Sequence, residues 1–234
     1  MYSNNYTLGF VFIVTIILGT MLSFTKENVK DLQDKNLKAD VQKTILRSLN
    51  FDENLLLTNE SIEQTFKNYI DAKCVDVQGQ IVECNIEEVD IEKNKDVLPV
   101  YMRVSNEKIE GIALPIAGKG LWSTIFGYIA LNSDTESVLG IQFYKHGETP
   151  GLGGEVEKKW FTDNFVNHPQ KQSNGELKYI PKKIRDKNGK IVSITVIKGG
   201  VDYSDSNNAS IHQVDGISGA TVTADGVTDF LLED

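Results

Sequence analysis

Cysteine and histidine are scarce in these 234 residues: two cysteines, Cys74 and Cys84, and three histidines. No C-x-x-C pair and no trio of His or carboxylate side chains stands at ligand spacing, which argues against a zinc or iron–sulfur centre. The cysteines read either as a disulfide in an oxidising compartment or as two buried thiols. Basic charge is also in deficit. Lys plus Arg number 24 against 33 Asp plus Glu, for a net charge of −9, and no basic cluster is present. Nucleic acid is therefore not an expected partner. No G-x-G-x-x-G follows a strand pattern, so no NADH-binding unit is expected. Ser218 has a His and an Asp nearby, but no G-x-S-x-G elbow supports a hydrolase. No internal repeat is visible.

Charge is missing altogether before Lys26. Leu8 to Phe24 is uncharged and mostly apolar, at the lower end of the roughly 17–25 residues that cross a bilayer. The preferred reading is a single transmembrane anchor, with Tyr2 and Tyr6 at one interface. A cleaved signal peptide is the second reading, weakened by the lack of a basic n-region and an A-x-A site. A buried core helix is the third. Lys26, Lys30 and Lys35 all follow the span, so the positive-inside rule places the rest of the chain in the cytoplasm.

The remainder is rich in periodic signals. Val29, Leu32, Leu37, Val41, Ile45, Leu46 and Leu49 suit an amphipathic helix stopped at Asn50. Thr58-Asn59-Glu60-Ser61 opens a second helix with Ile62, Phe66, Tyr69 and Ile70 on one face. Lys73–Val77 and Gln80–Val82 read as a hairpin around Gly79. From Leu98 the period becomes two: Pro99–Val104 and Ile109–Leu114 flank a turn at Ser105–Lys108, and Ile125–Leu131 and Val138–Phe143 follow. Glu155–Phe165 reads as a helix with Val156, Trp160, Phe161 and Phe165 on one side. Leu177–Ile180 and Ile191–Ile197 are later strands, and Ser204–Asn208 is a polar loop. This order predicts an α+β fold with a mainly antiparallel sheet.

Three segments carry candidate chemistry. The first is Asp215-Gly216-Ile217-Ser218-Gly219-Ala220-Thr221, leading into a short apolar helix. Glycines there permit tight turns, and a hydroxyl at a helix start lies among free N–H groups that favour phosphate. Taken alone, the stretch is an ordinary turn and N-cap. The second is Glu148-Thr149-Pro150-Gly151-Leu152-Gly153-Gly154, whose Gly/Pro content lets backbone approach a flat ligand, or simply makes a turn. The third is Gly118-Lys119-Gly120-Leu121-Trp122-Ser123. Trp122 either walls a ring or packs in the core, and the core is the safer reading. Lys119 pairs with phosphate or stays solvated. His146 and His212 read as polar loop residues.

Together, D-x-x-S-G-A-T, E-T-P-G-L-G and G-x-G-L-W resemble the FMN-binding subunits of the sodium-translocating NADH:quinone reductase and its ferredoxin-linked relative. The G-L-W segment favours the C-subunit family of the former. The resemblance implies FMN bound covalently, as a phosphoester on Thr221, with Asp215, Ser218, Gly219 and Ala220 completing the motif read by a flavin transferase. It places Glu148, Thr149, Pro150, Gly151 and Leu152 near the isoalloxazine ring, with Trp122 as a further candidate. It implies one anchor at 1–25, membrane-proximal helices and a small hairpin at 26–97, and an FMN-binding domain at 98–234. It also implies partner subunits of a membrane redox complex and an extracytoplasmic domain, against the lysine count. A tethered binding domain without flavin is the rival of a different class.

Overall fold

The computed structural model describes residues 3–93, 96–171, 176–203 and 209–233. The chain divides into two compact units between Asp40 and Val41. The first unit consists of the N-terminal part of helix α1 (Asn4–Ser48). Its apolar stretch reaches a mean hydropathy of 2.2 with none of it buried, and is long enough to cross a membrane. Helix α1 passes without a break from the apolar stretch into the helical run read from Val29. The polar residues there bond back to their own helix: Thr25 Oγ1 donates to Met21 O (2.9 Å) and Asn28 Nδ2 to Phe24 O (2.7 Å).

The second unit begins with the last turns of α1. Asn50, at φ 57°, ends that helix where the sequence places its stop. Helix α2 (Asn59–Tyr69) starts where Thr58–Ser61 predict, and the structure adds a reciprocal capping box between Thr58 and Ser61. Strands β1 (Ile70–Asp76), β2 (Ile81–Val82), β3 (Val97–Ser105), β4 (Lys108–Lys119), β5 (Thr124–Asn132) and β6 (Val138–Lys145) form one sheet in the order β2-β1-β3-β4-β5-β6. Every neighbouring pair in it is antiparallel. Cys74 on β1 is disulfide-bonded to Cys84 across a Cα–Cα distance of 6.1 Å, which settles the two-way reading of the cysteines.

After the sheet come a short helix α3 (Lys159–Thr162), a hairpin of β7 (Asn167–Lys171) and β8 (Leu177–Pro181), and a parallel pair, β9 (Thr195–Ile197) and β10 (Gln213–Asp215). Helix α4 (Thr221–Glu233) follows. The fold is α+β, as expected. Three local expectations need correction. Ile70, read on the apolar face of the second helix, is extended and opens β1 instead. The helix over Glu155–Phe165 is three short pieces, broken where Lys158 is extended (φ −79°, ψ 141°). Val156, Phe161 and Phe165 are buried as read, but Trp160 turns out to solvent and donates to Glu155 (2.9 Å). The strand over Ile191–Ile197 shrinks to Thr195–Ile197, because Ser193 at φ 56° breaks the extended run. The polar loop Ser204–Asn208 lies outside the described residues.

Alternation along β5 sets the two faces of the sheet. Ile125, Ile129 and Leu131 face α4, with Val156, Phe161, Val214, Val227 and Phe230. Tyr128 and Ala130 face the end of α1 and α2, with Ile45, Leu49 and Phe66. The candidate motifs all belong to the α4 side or its rim.

Candidate functional site

Helix α4 lies on β4 because two glycines allow it. A Cβ on Gly226 of α4 would come 2.2 Å from Lys119 O, and one on Gly118 of β4 would come 2.2 Å from the Phe230 side chain. That contact brings the first turn of α4 beside the β4–β5 connection, which is the G-L-W segment. Thr221 is the first residue of α4 and is exposed. Ala220 N–H bonds to Ile217 O (3.1 Å) and Ala224 N–H to Ala220 O (3.0 Å). Among the described residues, the N–H groups of Thr221, Val222 and Thr223 between them have no protein acceptor. They form an anion-favouring helix start with an exposed hydroxyl in it.

Glu148 ties the three segments together. It is buried, and its Oε2 accepts the Thr223 hydroxyl (2.7 Å) in the first turn of α4. Its Oε1 accepts the N–H groups of Trp122 (2.8 Å) and Ser123 (3.3 Å). Gly120 and Gly153 are required for this packing, since a Cβ on either would fall within 2.7 Å of the Glu148 carboxylate. Burial alone pushes this carboxyl up. The hydroxyl of Thr223 and the N–H groups of Trp122, Ser123 and Leu121 outweigh it and hold the carboxyl below the ordinary 4.5. A lowered folded-state value means its contribution is present above pH 4.5 and fades as pH falls through the folded value. Glu148→Gln should therefore lose about 2 kcal/mol at neutral pH and show a weaker acid-induced drop in thermal midpoint than the wild type. Parallel midpoint-versus-pH curves would contradict this.

The rest of the E-T-P-G-L-G loop projects outward. Thr149, Pro150, Gly151 and Leu152 are all exposed, and Gly151 has φ +74°. Thr149 O accepts from both Leu152 N–H (3.1 Å) and Gly154 N–H (2.9 Å), closing the turn. Leu152 leans over the motif turn: its Cδ2 is 3.0 Å from where a Cβ on Gly219 (φ +77°) would stand. Trp122 is 70% exposed and so is not a core residue. Its backbone N–H is drawn in to Glu148, which leaves the indole outside. Leu121, Trp122, Leu152 and Val222 are exposed apolar side chains on these three segments.

Among the motif residues, Ser218 and Gly219 are exposed and Ala220 is buried. Asp215 is spent inside the fold: its Oδ1 accepts Val201 N–H (2.7 Å). Gly216 is needed because a Cβ there would meet Ile197 O at 2.4 Å. Lys119 is exposed. His146 packs against Glu157 (3.3 Å), and His212 contacts Lys183 O (2.6 Å). No cluster of metal-ligating side chains occurs among the described residues. Two structural participants carry no signal in the motifs. Thr223 reads only as a helix-start residue, and Lys182 is one lysine among several after Pro181.

A family model described as an FMN-binding domain matches residues 120–232. The C subunit of the Na(+)-translocating NADH-quinone reductase from Vibrio alginolyticus is 30% identical over 100% of this chain and 94% of its own length. The corresponding protein of Pseudomonas aeruginosa is 30% identical over 98% and 90%. The chain belongs to the C-subunit family of the Na(+)-translocating NADH-quinone reductases. Its cofactor is FMN. The fold agrees with solved members. The C subunit from Parabacteroides distasonis superposes with a TM-score of 0.70 at 29% identity, covering 88% of this chain and 92% of that one. NqrC from Shewanella oneidensis gives 0.63 at 25% identity, covering 82% and 88%.

Proposed function

We propose that this chain is a membrane-anchored electron-carrier subunit that holds FMN covalently, through a phosphoester on Thr221, within an NADH-oxidising, quinone-reducing complex. The observation that carries the reading is the contrast between neighbouring hydroxyls. Thr223 is buried and committed to Glu148, whereas Thr221 is exposed at the head of α4 beside three free N–H groups. The donor set fits the group: N–H donors and the helix dipole suit a phosphate, and exposed apolar side chains one turn away suit a flat ring. When bound, FMN supplies one- and two-electron redox chemistry. The chain's residues place it. Leu152, Trp122 and the exposed Thr149-Pro150-Gly151 backbone provide an apolar wall, and Glu148 keeps that wall in register with Thr221. Asp215, Ser218, Gly219 and Ala220 shape the turn that a flavin transferase must read. Tethering raises the local cofactor concentration enough for a shallow, open site to suffice. The chain has no dinucleotide fingerprint, so NADH oxidation belongs to a partner subunit. A denaturing gel of membranes containing the chain should show one ultraviolet-fluorescent band at its mass, and a dark band would refute covalent attachment.

The apolar part of α1 anchors the chain in this reading, with the FMN domain on the extracytoplasmic side. The Cys74–Cys84 disulfide supports that side, since such bonds persist in oxidising compartments. Three lysines after the span argue the other way. A phosphatase reporter fused after Asp234 should be active, and a fluorescent cytoplasmic reporter at the same point should be dark. The reverse pattern would restore the charge rule.

A further inference from the structure

Among the described residues only two Asp, Glu, Lys or Arg side chains are buried: Glu148 and Lys182. Glu148 is explained by the motif segments it joins. Lys182 is completely buried and belongs to none of them. Its backbone is clamped on both sides, with its N–H on Val166 O (2.9 Å) and its carbonyl receiving Val138 N–H (2.9 Å). From that fixed base its ammonium reaches Ser210 O (2.7 Å) and also donates to Gln213 O. It lies 5.4 Å from the centre of the Tyr203 ring. Lys183 continues the seam, its N–H meeting Ile211 O (3.3 Å) and its carbonyl meeting His212 Nδ1 (2.6 Å).

Both acceptors of the ammonium are main-chain carbonyls of the segment that runs directly into Asp215. Burial draws the Lys182 pKa down to about 8, while the Asp215 carboxylate acts to raise it. Asp215 in turn fixes Val201 N–H, and Gly216 N–H bonds to Gly199 O (3.3 Å). A methionine would fill the same volume without burying a charge, so filling space does not explain the ammonium. Its donors do: they fix the register of a strand only three residues long.

We propose that Lys182 is the positioning residue of the flavin-attachment turn: by holding the carbonyls of Ser210 and Gln213 beside Asp215, it sets the point from which residues 216–220 present Thr221 to the flavin transferase. This rests on the covalent attachment proposed above. The test uses the full chain, produced with a flavin transferase, as wild type, Lys182→Met, Asp215→Asn, the double variant, and Leu46→Ala as a core truncation on the opposite face of the sheet. Three quantities are measured: the rate at which intact mass shows the flavin adduct, the thermal midpoint, and amide hydrogen exchange over 209–217. Lys182→Met should slow incorporation about tenfold or more and raise exchange in that segment. The double variant should be no slower than the slower single variant. Leu46→Ala should lose midpoint yet keep the wild-type rate and the wild-type exchange there. Wild-type incorporation by Lys182→Met overturns the proposal, and so does an equal loss in Leu46→Ala. If Lys182→Met fails to fold, Lys182→Gln replaces it under the same two outcomes. A wild-type chain without flavin sinks the attachment reading instead, and unchanged exchange over 209–217 in the Lys182 variant would then remove the positioning role as well.

Discussion

Thr221→Ala should abolish the covalent adduct while leaving the fold intact. The hydroxyl is exposed and makes no hydrogen bond to another described residue. Its removal should cost less than about 1 kcal/mol, as for other surface changes away from a cap or core. The neighbouring hydroxyls cannot substitute for separate reasons. Thr223 is buried and donates to Glu148 at 2.7 Å, so reaction there would break the clamp between the three motif segments. Ser218 is exposed but stands before the Gly219 turn, outside the helix whose free N–H groups favour the phosphate. Intact-mass analysis of the folded variant decides the matter. An unchanged adduct on the peptide containing Ser218 and Thr223 would move the attachment off Thr221.

Gly226→Ala should destabilise the FMN domain by roughly 1–3 kcal/mol, as overpacking in a close contact does. This reverses the usual expectation, because alanine in place of glycine inside a helix normally stabilises by about 1 kcal/mol. The reason is the 2.2 Å approach that the new Cβ would make to Lys119 O. Lys119 O is backbone in a paired strand and cannot swing aside as a side chain would. The helix must shift, which also loosens the Glu148–Thr223 bond. At about 2–4 °C per kcal/mol for a domain of this size, the thermal midpoint should fall by roughly 2–12 °C. Asp229→Ala, on the same helix, should stay within about 0.5 kcal/mol. A Gly226→Ala midpoint at or above the wild-type value would show that α4 does not pack on β4 as described.

What the order of residues makes legible is whatever depends on neighbours along the chain. The uncharged stretch to Phe24, the helix start at Thr58, the stop at Asn50, the turn at Gly79 and the period-two strands from Leu98 all rest on local backbone preference or face periodicity. Each appears where those residues place it. The three motifs are equally legible as segments, and their resemblance names the cofactor. Their mutual arrangement is not legible, because it depends on contacts between residues far apart in sequence. Glu148 and Thr223 are 75 positions apart, and Lys182 and Gln213 are 31 apart. Reading Trp122 as a core residue fails for the same reason: its hydrophobicity is local, but the carboxylate that pulls its backbone inward and leaves the indole out comes from another loop. The broken helix at Lys158 and the shortened strand at Ser193 likewise follow from packing that overrides local pattern. The sequence alone thus determined the elements, the fold class and the cofactor family. Only the tertiary structure decided which hydroxyl is free and which carboxylate is a clamp, because burial and hydrogen-bond partners exist only once distant segments meet.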